Sequence, residues 1–366
     1  MAQRPDLPEF QASDPGVGHR LPVIFVHGWR GTRRSWDDMA GEPEPPLPEP
    51  GTSEPAGQHW HPPLLPLAGY RARVPTQPPA QGLYPLLEAE GHPVVSWTQT
   101  DTVGPIENSV DELERVVAFA KEKYGADRVI LVGHSRGGLV CRGYLRRHRE
   151  DPDVAGLVTM GTPHKGTRMA TLDDRLLELV ADGVAGLLPV PGSKLLVKAV
   201  INLVRRLWLS HVASTEELER WGAPGGYLRQ LIPESQLDAV TYIAIAGVQP
   251  TMSHVVIQLY DLMSFIPQDI VQPWRWTRVT WRHLALPDVV RELNLPLLEE
   301  FRECYPGEGD GVVAIDSALL LTTADTTNVV NLSYPASHSL LLRVTGLHQR
   351  LIQELDAVEQ TTMKST

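Results

Sequence analysis

The feature that most constrains this 366-residue chain is the stretch RVILVGHSRGGLVCRGYL, residues 128–145. An apolar run at 129–132 predicts a buried strand, and the pattern after the next turn predicts a helix. Ser135 stands on that turn, with Gly133 and Gly137 two residues before and after it. Glycine is needed at both places if the turn is so tight that these residues crowd each other. The sequence therefore predicts a strained serine above a sheet, at a helix N-terminus whose N–H groups stabilise an anion.

The pentapeptide GHSRG at 133–137 fits the G-x-S-x-G pattern of nucleophilic serines, and a strand followed by a helix is the context that pattern requires. An ordinary Ser-Gly turn that caps a helix is the alternative. A phosphate-binding loop is excluded, because Leu139 and Val140 follow the glycines where such a loop needs lysine and then serine or threonine. Ser135 is therefore a candidate nucleophile.

A nucleophilic serine needs a base and an acid that orients the base. After a serine on such a turn, the acid comes next in the chain and the histidine last. His338 follows the last predicted strand, at the same sheet edge as Ser135, and is the candidate base. His348 lies in a helical pattern and is interpreted as structural. His254 and His283 fall in an insertion and are weaker candidates.

The candidate acid lies in GEGDGVVAIDSA, residues 307–318. Asp310 stands there between two glycines, before the last predicted strand. Aspartate between glycines is usually a turn residue, but its place ahead of His338 favours the catalytic interpretation. Asp316 is the local competitor. Three aspartates in the preceding insertion are weaker candidates: Asp261, Asp269 and Asp288.

An oxyanion hole needs two N–H donors. The backbone N–H of Arg136, directly after the serine, is one candidate, and the loop after the first core strand should supply the other. That loop is HGWRGT, residues 27–32, and Trp29 is the expected donor. The residues expected to support both loops are His27, Gly28, Gly133, His134 and Gly137.

Strands and helices alternate along the chain, which predicts a parallel, doubly wound α/β sheet. Strands are expected within 21–28, 84–97, 127–133, 154–167, 237–247 and 328–338. Apolar residues at helical spacing in 108–125 predict a helix with Gly125 as its C-cap. A closing helix is expected over 340–358. Residues 1–20 are expected to form a loose tail.

Three insertions interrupt this rhythm within one predicted domain, 1–366. Residues 41–80 hold 12 of the 32 prolines and predict a long loop or extended insertion. Residues 170–235 are apolar and helical in pattern, typical of a lid or cap. Residues 250–305 contain a tryptophan-rich segment.

Charge and cysteine content exclude several classes of protein. Lys and Arg number 33 against 44 Asp and Glu, a formal charge of −11, which does not favour binding to nucleic acid. Cys141 and Cys304 are the only cysteines, too few for a zinc finger or a disulfide framework. A disulfide between them is the alternative to a buried free thiol at Cys141.

The sequence predicts no transmembrane segment, since it has no apolar run of 18 uncharged residues. Residues 1–20 also lack the apolar core of a signal peptide. A cytoplasmic protein is expected from the sequence as it stands, and a secreted one if a leader has been removed.

Four stretches carry a family resemblance: VIFVHGWRGT, VGHSRGGL, MGTPHKGT at 160–167, and GDGVVAIDSA. Together they resemble the α/β-hydrolase superfamily, and within it the bacterial lipases and esterases of the triacylglycerol-lipase type. The resemblance covers roughly 21–36, 84–170, 237–247 and 307–357. It implies Ser135 as nucleophile, Asp310 as acid and His338 as base. Some members bind a structural calcium, but no acidic cluster here can be placed at that site, so no metal is expected.

The expected activity is hydrolysis of a small-molecule or lipid ester through an acyl-enzyme on Ser135, with no cofactor. A lid at 172–209 that contacts lipid would imply medium or long acyl chains, and a fixed cap would imply smaller soluble esters. The same residues serve thioesterases, amidases, acyltransferases and polyester hydrolases, which the sequence does not separate. A non-catalytic binding protein of this fold is the alternative from another class.

Overall fold

The computed structural model describes residues 3–15, 20–29, 31–37, 81–102, 104–167, 227–231, 239–248, 307–320, 327–338 and 340–365. The predicted insertions at 41–80 and 250–305 lie outside these residues. Of the insertion at 170–235, only 227–231 is described. A lid or cap at 172–209 therefore stays a prediction.

The described residues form one sheet of seven strands. They are β1 (Gln11–Ala12), β2 (Val23–Val26), β3 (Val94–Ser96), β4 (Val129–His134), β5 (Val154–Met160), β6 (Thr241–Gly247) and β7 (Val329–Tyr334). Their order across the sheet is β1-β3-β2-β4-β5-β6-β7. All neighbouring strands are parallel except β1, which is antiparallel to β3. The predicted, mostly parallel α/β sheet is confirmed.

Helices cover both faces of this sheet. They are α1 (Leu83–Ala89), α2 (Ile106–Tyr124), α3 (Arg136–Arg147), α4 (Tyr227–Leu231), α5 (Ile315–Ala318) and α6 (Thr345–Ser365), with 3-10 helices at Arg33–Trp36 and Leu340–Arg343. Successive residues of a strand point to opposite faces, so Ile24 packs in one apolar cluster with α2 and α3. Phe25 packs in the other with α1 and α6. This is the doubly wound arrangement.

The helix predicted over 108–125 is α2. Its apolar stripe is buried against the sheet at positions 110, 113, 116, 117 and 120. Gly125 ends it with φ of +63°, a left-handed conformation in which its N–H reaches the carbonyl of Lys121. Cys141 of α3 is a buried free thiol, as expected, and Cys304 lies outside the described residues.

The N-terminal segment differs from the loose tail that was predicted. Leu7 and Phe10 are buried, and the ring of Phe10 meets Phe119 of α2 edge to face at 5.1 Å. Gln11 and Ala12 then add the antiparallel edge strand β1. Two isolated apolar residues among prolines and acids produce no periodic pattern, so their burial depends on contacts that only the folded sheet provides.

The C-terminal helix is also divided differently from the prediction. Leu340–Arg343 forms a separate 3-10 turn, and α6 runs over Thr345–Ser365, beyond the predicted end at 358. Among the described residues, none of the helices combines the length and apolar content needed to cross a bilayer.

Candidate active site

Ser135 lies on a strained turn between β4 and α3. Its φ is +53° and its ψ is −128°, and Glu9 is the only other non-glycine residue with positive φ in the described part of the chain. Such a conformation costs on the order of 1–3 kcal/mol and persists only where the surroundings enforce it. The Ser135 N–H donates to the carbonyl of Met160 at the end of β5, 2.9 Å away. The strained serine expected from the sequence is therefore present.

The glycines around Ser135 are explained by close backbone contacts. A Cβ at Gly133 would lie 2.5 Å from Cα of Gly138 and 2.8 Å from the carbonyl carbon of Gly137. A Cβ at Gly137 would instead meet the carbonyl oxygen of Val26 at 2.1 Å. The expected crowding within the turn therefore explains Gly133. Gly137 is glycine for another reason, because α3 begins against the end of β2.

Asp310 and His338 form a buried pair. Nδ1 of His338 lies 2.8 Å from Oδ2 of Asp310, and Asp310 is 1% exposed. The other carboxylate oxygen accepts the N–H groups of Val312 at 2.9 Å and Val313 at 2.7 Å. Because a carboxylate only accepts, the hydrogen of His338 is on Nδ1. Its Nε2 then carries the lone pair that a general base needs.

Two glycines make room for this pair at the sheet edge. Gly161, directly after β5, has φ of +55°, and a Cβ there would lie 3.0 Å from both Asp310 Oδ2 and His338 Nδ1. Gly247, the last residue of β6, would place a Cβ 2.7 Å from Cβ of Asp310. Neither glycine was identified from the sequence, where Gly247 ends a predicted strand and Gly161 lies within the strand and loop predicted over 154–167.

His134 connects the serine turn to the histidine loop. Its Nε2 donates to the carbonyl of His338 at 2.9 Å, and the two rings lie 4.7 Å apart. Ser135 is the next residue, and its N–H is bound to Met160 beside Gly161. Ser135, Asp310 and His338 are thus gathered at the carboxyl ends of β4 to β7, where open α/β sheets bind ligands.

The competing candidates are elsewhere or outside the described residues. Asp316 is exposed on α5, and its carbonyl accepts a hydrogen bond from Lys165 Nζ at 2.7 Å. His348 is buried in α6 and bound to the carbonyl of Leu342 at 3.1 Å, which fits the structural interpretation. The weaker candidates His254, His283, Asp261, Asp269 and Asp288 lie outside the described residues.

The loop GTPHKGT, residues 161–167, holds the acid loop in place. The hydroxyl of Ser317 accepts the Lys165 N–H at 3.1 Å and donates to the Gly166 carbonyl at 2.6 Å. The N–H of His164 donates to the Ser317 carbonyl at 2.9 Å. Thr167 donates to the carbonyl of Val312, beside Asp310. This motif therefore anchors the segment that carries the candidate acid.

His164 is a buried structural residue of that loop. Its Nδ1 accepts from Arg142 at 3.0 Å and its Nε2 faces the Thr159 hydroxyl at 3.0 Å. Burial, assisted by the charge of Arg142, holds the pKa of His164 well below its usual value. The imidazole is therefore neutral and joins β5 to α3.

The two segments expected to supply the oxyanion donors meet at Ser135. A Cβ at Gly28 would be 2.8 Å from Cβ of Ser135, so the loop after β2 touches the serine. Trp29 follows Gly28 in that loop, and Arg136 follows Ser135 at the start of α3. His27 Nδ1 lies 2.9 Å from the Gly28 carbonyl oxygen. Burial lowers the pKa of His27 to about 4, so this imidazole is neutral.

One group of side chains outside the site has the spacing of a cation site. His92, Asp356 and Glu359 each place a ligand atom within 4.8 Å of the others. Arg20 Nη1, however, lies 2.7 Å from His92 Nε2 and 2.9 Å from Asp356 Oδ1. A guanidinium only donates, so Nε2 accepts and the hydrogen is on Nδ1, which faces Glu359 at 3.5 Å. The group fits an ion-pair network that anchors α6, and it offers a cation no imidazole lone pair.

His92 of this network is expected to make the free energy of unfolding sensitive to acid. Burial lowers the pKa of His92 to about 4 from its ordinary 6.5. As pH falls from 6.5 to 4, the unfolded chain binds a proton at His92 and the folded chain does not, so stability is lost. The loss amounts to roughly 3 kcal/mol at this one position. We expect the difference in unfolding free energy between wild type and His92→Gln, from urea titrations, to be largest at pH 7 and to shrink toward pH 4. An equal difference at every pH would contradict this.

Comparisons with known proteins agree with this architecture. The family model for the alpha/beta hydrolase fold matches residues 77–219. The lipase BlEst2 of Bacillus licheniformis in its propeptide form is similar in structure, with a TM-score of 0.51 and 15% identity. That match covers 96% of this chain and 54% of the lipase chain, so this protein spans about half of that lipase's length.

Two further structures are similar at lower scores. The mature form of the same lipase has a TM-score of 0.47 and 14% identity, covering 96% of this chain and 99% of that one. A monoacylglycerol lipase of Paleococcus ferrophilus has a TM-score of 0.42 and 12% identity, with the same coverage of 96% and 99%. The comparison with curated proteins gave no match.

The family model covers β4, the serine turn and β5. The sheet order, the helices on both faces and the likeness to the propeptide-form lipase extend this agreement to the rest of the described chain. The chain therefore has the α/β-hydrolase fold, with the family-model match falling on residues 77–219.

Proposed function

We propose that this protein is a serine hydrolase that cleaves carboxylic esters through an acyl-enzyme on Ser135. The observation that carries the proposal is the buried pair in which His338 Nδ1 lies 2.8 Å from Asp310 Oδ2. It stands at the sheet edge from which the strained Ser135 projects. A buried carboxylate, an oriented imidazole and a serine held in a costly backbone conformation together fit nucleophilic catalysis.

The reaction proceeds in two acyl-transfer steps. His338 Nε2 removes the proton from Ser135 Oγ as that oxygen attacks the ester carbonyl. Asp310 holds the tautomer of His338 and stabilises the imidazolium that forms. The N–H groups of Trp29 and Arg136 bind the oxyanion. The bond to the alcohol then breaks, and the leaving oxygen takes the proton from His338.

Water completes the cycle. His338 removes a proton from a water molecule, which attacks the acyl carbonyl, and the proton returns to Ser135 Oγ as the acid leaves. These residues supply nucleophile, base and oxyanion donors, so the steps need no cofactor. Thioester, amide or polyester hydrolysis and acyl transfer to another alcohol use the same groups, and they enter as outcomes of the test.

The preference for acyl chain length is expected to depend on a segment outside the described residues. We propose that residues 172–209 cover the site and contact the acyl chain or a lipid surface, because this segment is apolar and follows β5 in the sequence. Long-chain substrates follow if it moves as a lid, and short-chain substrates follow if it is a fixed cap.

A panel of p-nitrophenyl esters from acetate to palmitate tests the proposal. We expect the purified protein to hydrolyse part of the panel and the Ser135→Ala variant to hydrolyse none. A maximum at long chains would support the lid, and a maximum at short chains the fixed cap. Activity on thioesters or anilides alone would replace the ester proposal, and inactivity on all three classes would favour the binding-protein alternative.

A further inference from the structure

Gln99 connects the two segments that carry the proposed oxyanion donors. It follows β3 and is 2% exposed. Its side-chain amide donates to the carbonyl of His27 at 2.7 Å, and its Oε1 accepts from the guanidinium of Arg136 at 2.9 Å. A carbonyl only accepts and a guanidinium only donates, so a single orientation of the amide satisfies both partners. The ends of β3, β2 and β4 are therefore joined by one side chain.

The backbone of Gln99 also fixes the tautomer of His27. Its N–H donates to His27 Nε2 at 2.9 Å, so the imidazole hydrogen is on Nδ1. Nδ1 can then donate to the Gly28 carbonyl, 2.9 Å away. The side-chain nitrogen of Gln99 also lies 3.4 Å from Nδ1. Both nitrogens carry hydrogens, so that approach is a contact and not a hydrogen bond.

The direction of the Trp29 N–H follows from the Gly28 carbonyl. In a trans peptide the carbonyl and the N–H of the same unit point in opposite directions. The Gly28 oxygen is held by His27 Nδ1 and by the N–H of Gly31 at 3.1 Å. The Trp29 N–H is thereby turned to the other side of the loop.

Arg136 is the partner on the other segment. Its side chain is fully buried, and its guanidinium donates to Gln99, to the Ser109 hydroxyl at 3.2 Å and to the Gly104 carbonyl at 2.7 Å. A buried guanidinium needs acceptors, because leaving one charged donor without a partner is costly. These bonds hold the first residue of α3, whose backbone N–H is the second proposed donor.

We infer that Gln99 is a positioning residue that sets the spacing and direction of the two oxyanion donors, the N–H groups of Trp29 and Arg136. The inference rests on the proposed ester hydrolysis. Gln99 does not touch the reacting atoms but acts through His27 and Arg136. Since a donor must lie within a few tenths of an ångström of its best position, loss of the connection weakens transition-state binding more than substrate binding.

Two substitutions test this role. Gln99→Met keeps the length of the side chain and removes both of its hydrogen bonds. Gln99→Glu keeps an acceptor for Arg136 but loses the donor to the His27 carbonyl. We expect both to lower kcat about 10- to 100-fold with KM within about 3-fold, because removal of one oxyanion donor outright costs about 10² to 10³.

A trifluoromethyl ketone supplies the readout that a merely structural residue would not change. This inhibitor forms a tetrahedral oxyanion on the serine, so its affinity should fall in proportion to kcat/KM in both variants. Gln349→Met is the matched control. It makes the same change at an exposed glutamine of α6, and we expect kcat to stay within about 3-fold of wild type.

The outcomes separate the inference from the function on which it rests. Retained hydrolysis by Ser135→Ala would overturn the proposed function. Wild-type kcat in the Gln99 variants with an inactive Ser135→Ala would overturn only the role of Gln99. A lowered kcat with unchanged inhibitor affinity would also overturn it. Rates are normalised to the folded fraction from circular dichroism, and if Gln99→Met does not fold, Gln99→Glu decides, since its carboxylate pairs with Arg136.

Discussion

Replacing Ser135 by alanine is expected to abolish ester hydrolysis, with kcat falling by roughly 10⁶. The reason is that no other group can take the place of Oγ in the acyl-enzyme. His338 would keep its bond to Asp310, and the N–H groups of Trp29 and Arg136 would remain, so substrate binding should change little. The measurement is kcat and KM on the best p-nitrophenyl ester of the panel.

Ser135→Gly is the control that separates activity from stability. Ser135 has φ of +53°, which glycine adopts without strain and which alanine does not. We therefore expect Ser135→Gly to be as inactive as Ser135→Ala but more stable by about 1 kcal/mol, because relief of backbone strain exceeds the entropy cost of glycine. Hydrolysis retained by both variants would mean that Ser135 is not the nucleophile. Equal stability would mean that the turn stores no strain.

The serine turn was predictable because part of its constraint is local. Gly133 is glycine because Gly137 and Gly138 crowd it within the turn, and an apolar strand on one side fixes the direction of the turn. The contact that requires glycine at 137 comes from the end of β2 and was not predictable in this way. The contact between His338 and Asp310 was also predictable, although the two are 28 residues apart. In a parallel sheet, loops that follow neighbouring strands come to the same edge. The predicted strands therefore indicate which residues meet, even when those residues are far apart in the sequence.

Gln99 could not be identified from the sequence. Its partners, His27 and Arg136, are 72 and 37 residues away, and glutamine after a strand has no pattern that distinguishes it from a surface residue. Gly161 and Gly247 were missed for a related reason. A side chain at Gly161 is excluded by the Asp310–His338 pair, and one at Gly247 by the Ala336 carbonyl and Asp310, and all of these come from other parts of the chain. When the role of a residue depends on several strand ends that meet in space, that residue can be identified only from the folded structure.

Asp310→Asn is expected to lower kcat about 10⁴-fold while the protein stays folded. Oδ1 of Asp310 accepts two backbone N–H groups, from Val312 and Val313. In the variant the amide oxygen must occupy that place, because the NH₂ group cannot accept. The NH₂ group then faces Nδ1 of His338, which has to give up its hydrogen and accept. The hydrogen moves to Nε2, and His338 can no longer remove the serine proton.

Asp316→Asn is the matched control for this change. Asp316 lies six residues further along the same loop region, but its side chain is exposed on α5. We expect its kcat to stay within about 3-fold of wild type, since an interaction of an exposed carboxylate contributes little in water. Positions 310 and 316 should also differ in whether they tolerate glutamate, because Gly161 and Gly247 lie close to Asp310 and leave little room for a longer side chain there. If Asp316→Asn were inactive and Asp310→Asn active, the acid would be Asp316, and the buried pair with His338 would be structural.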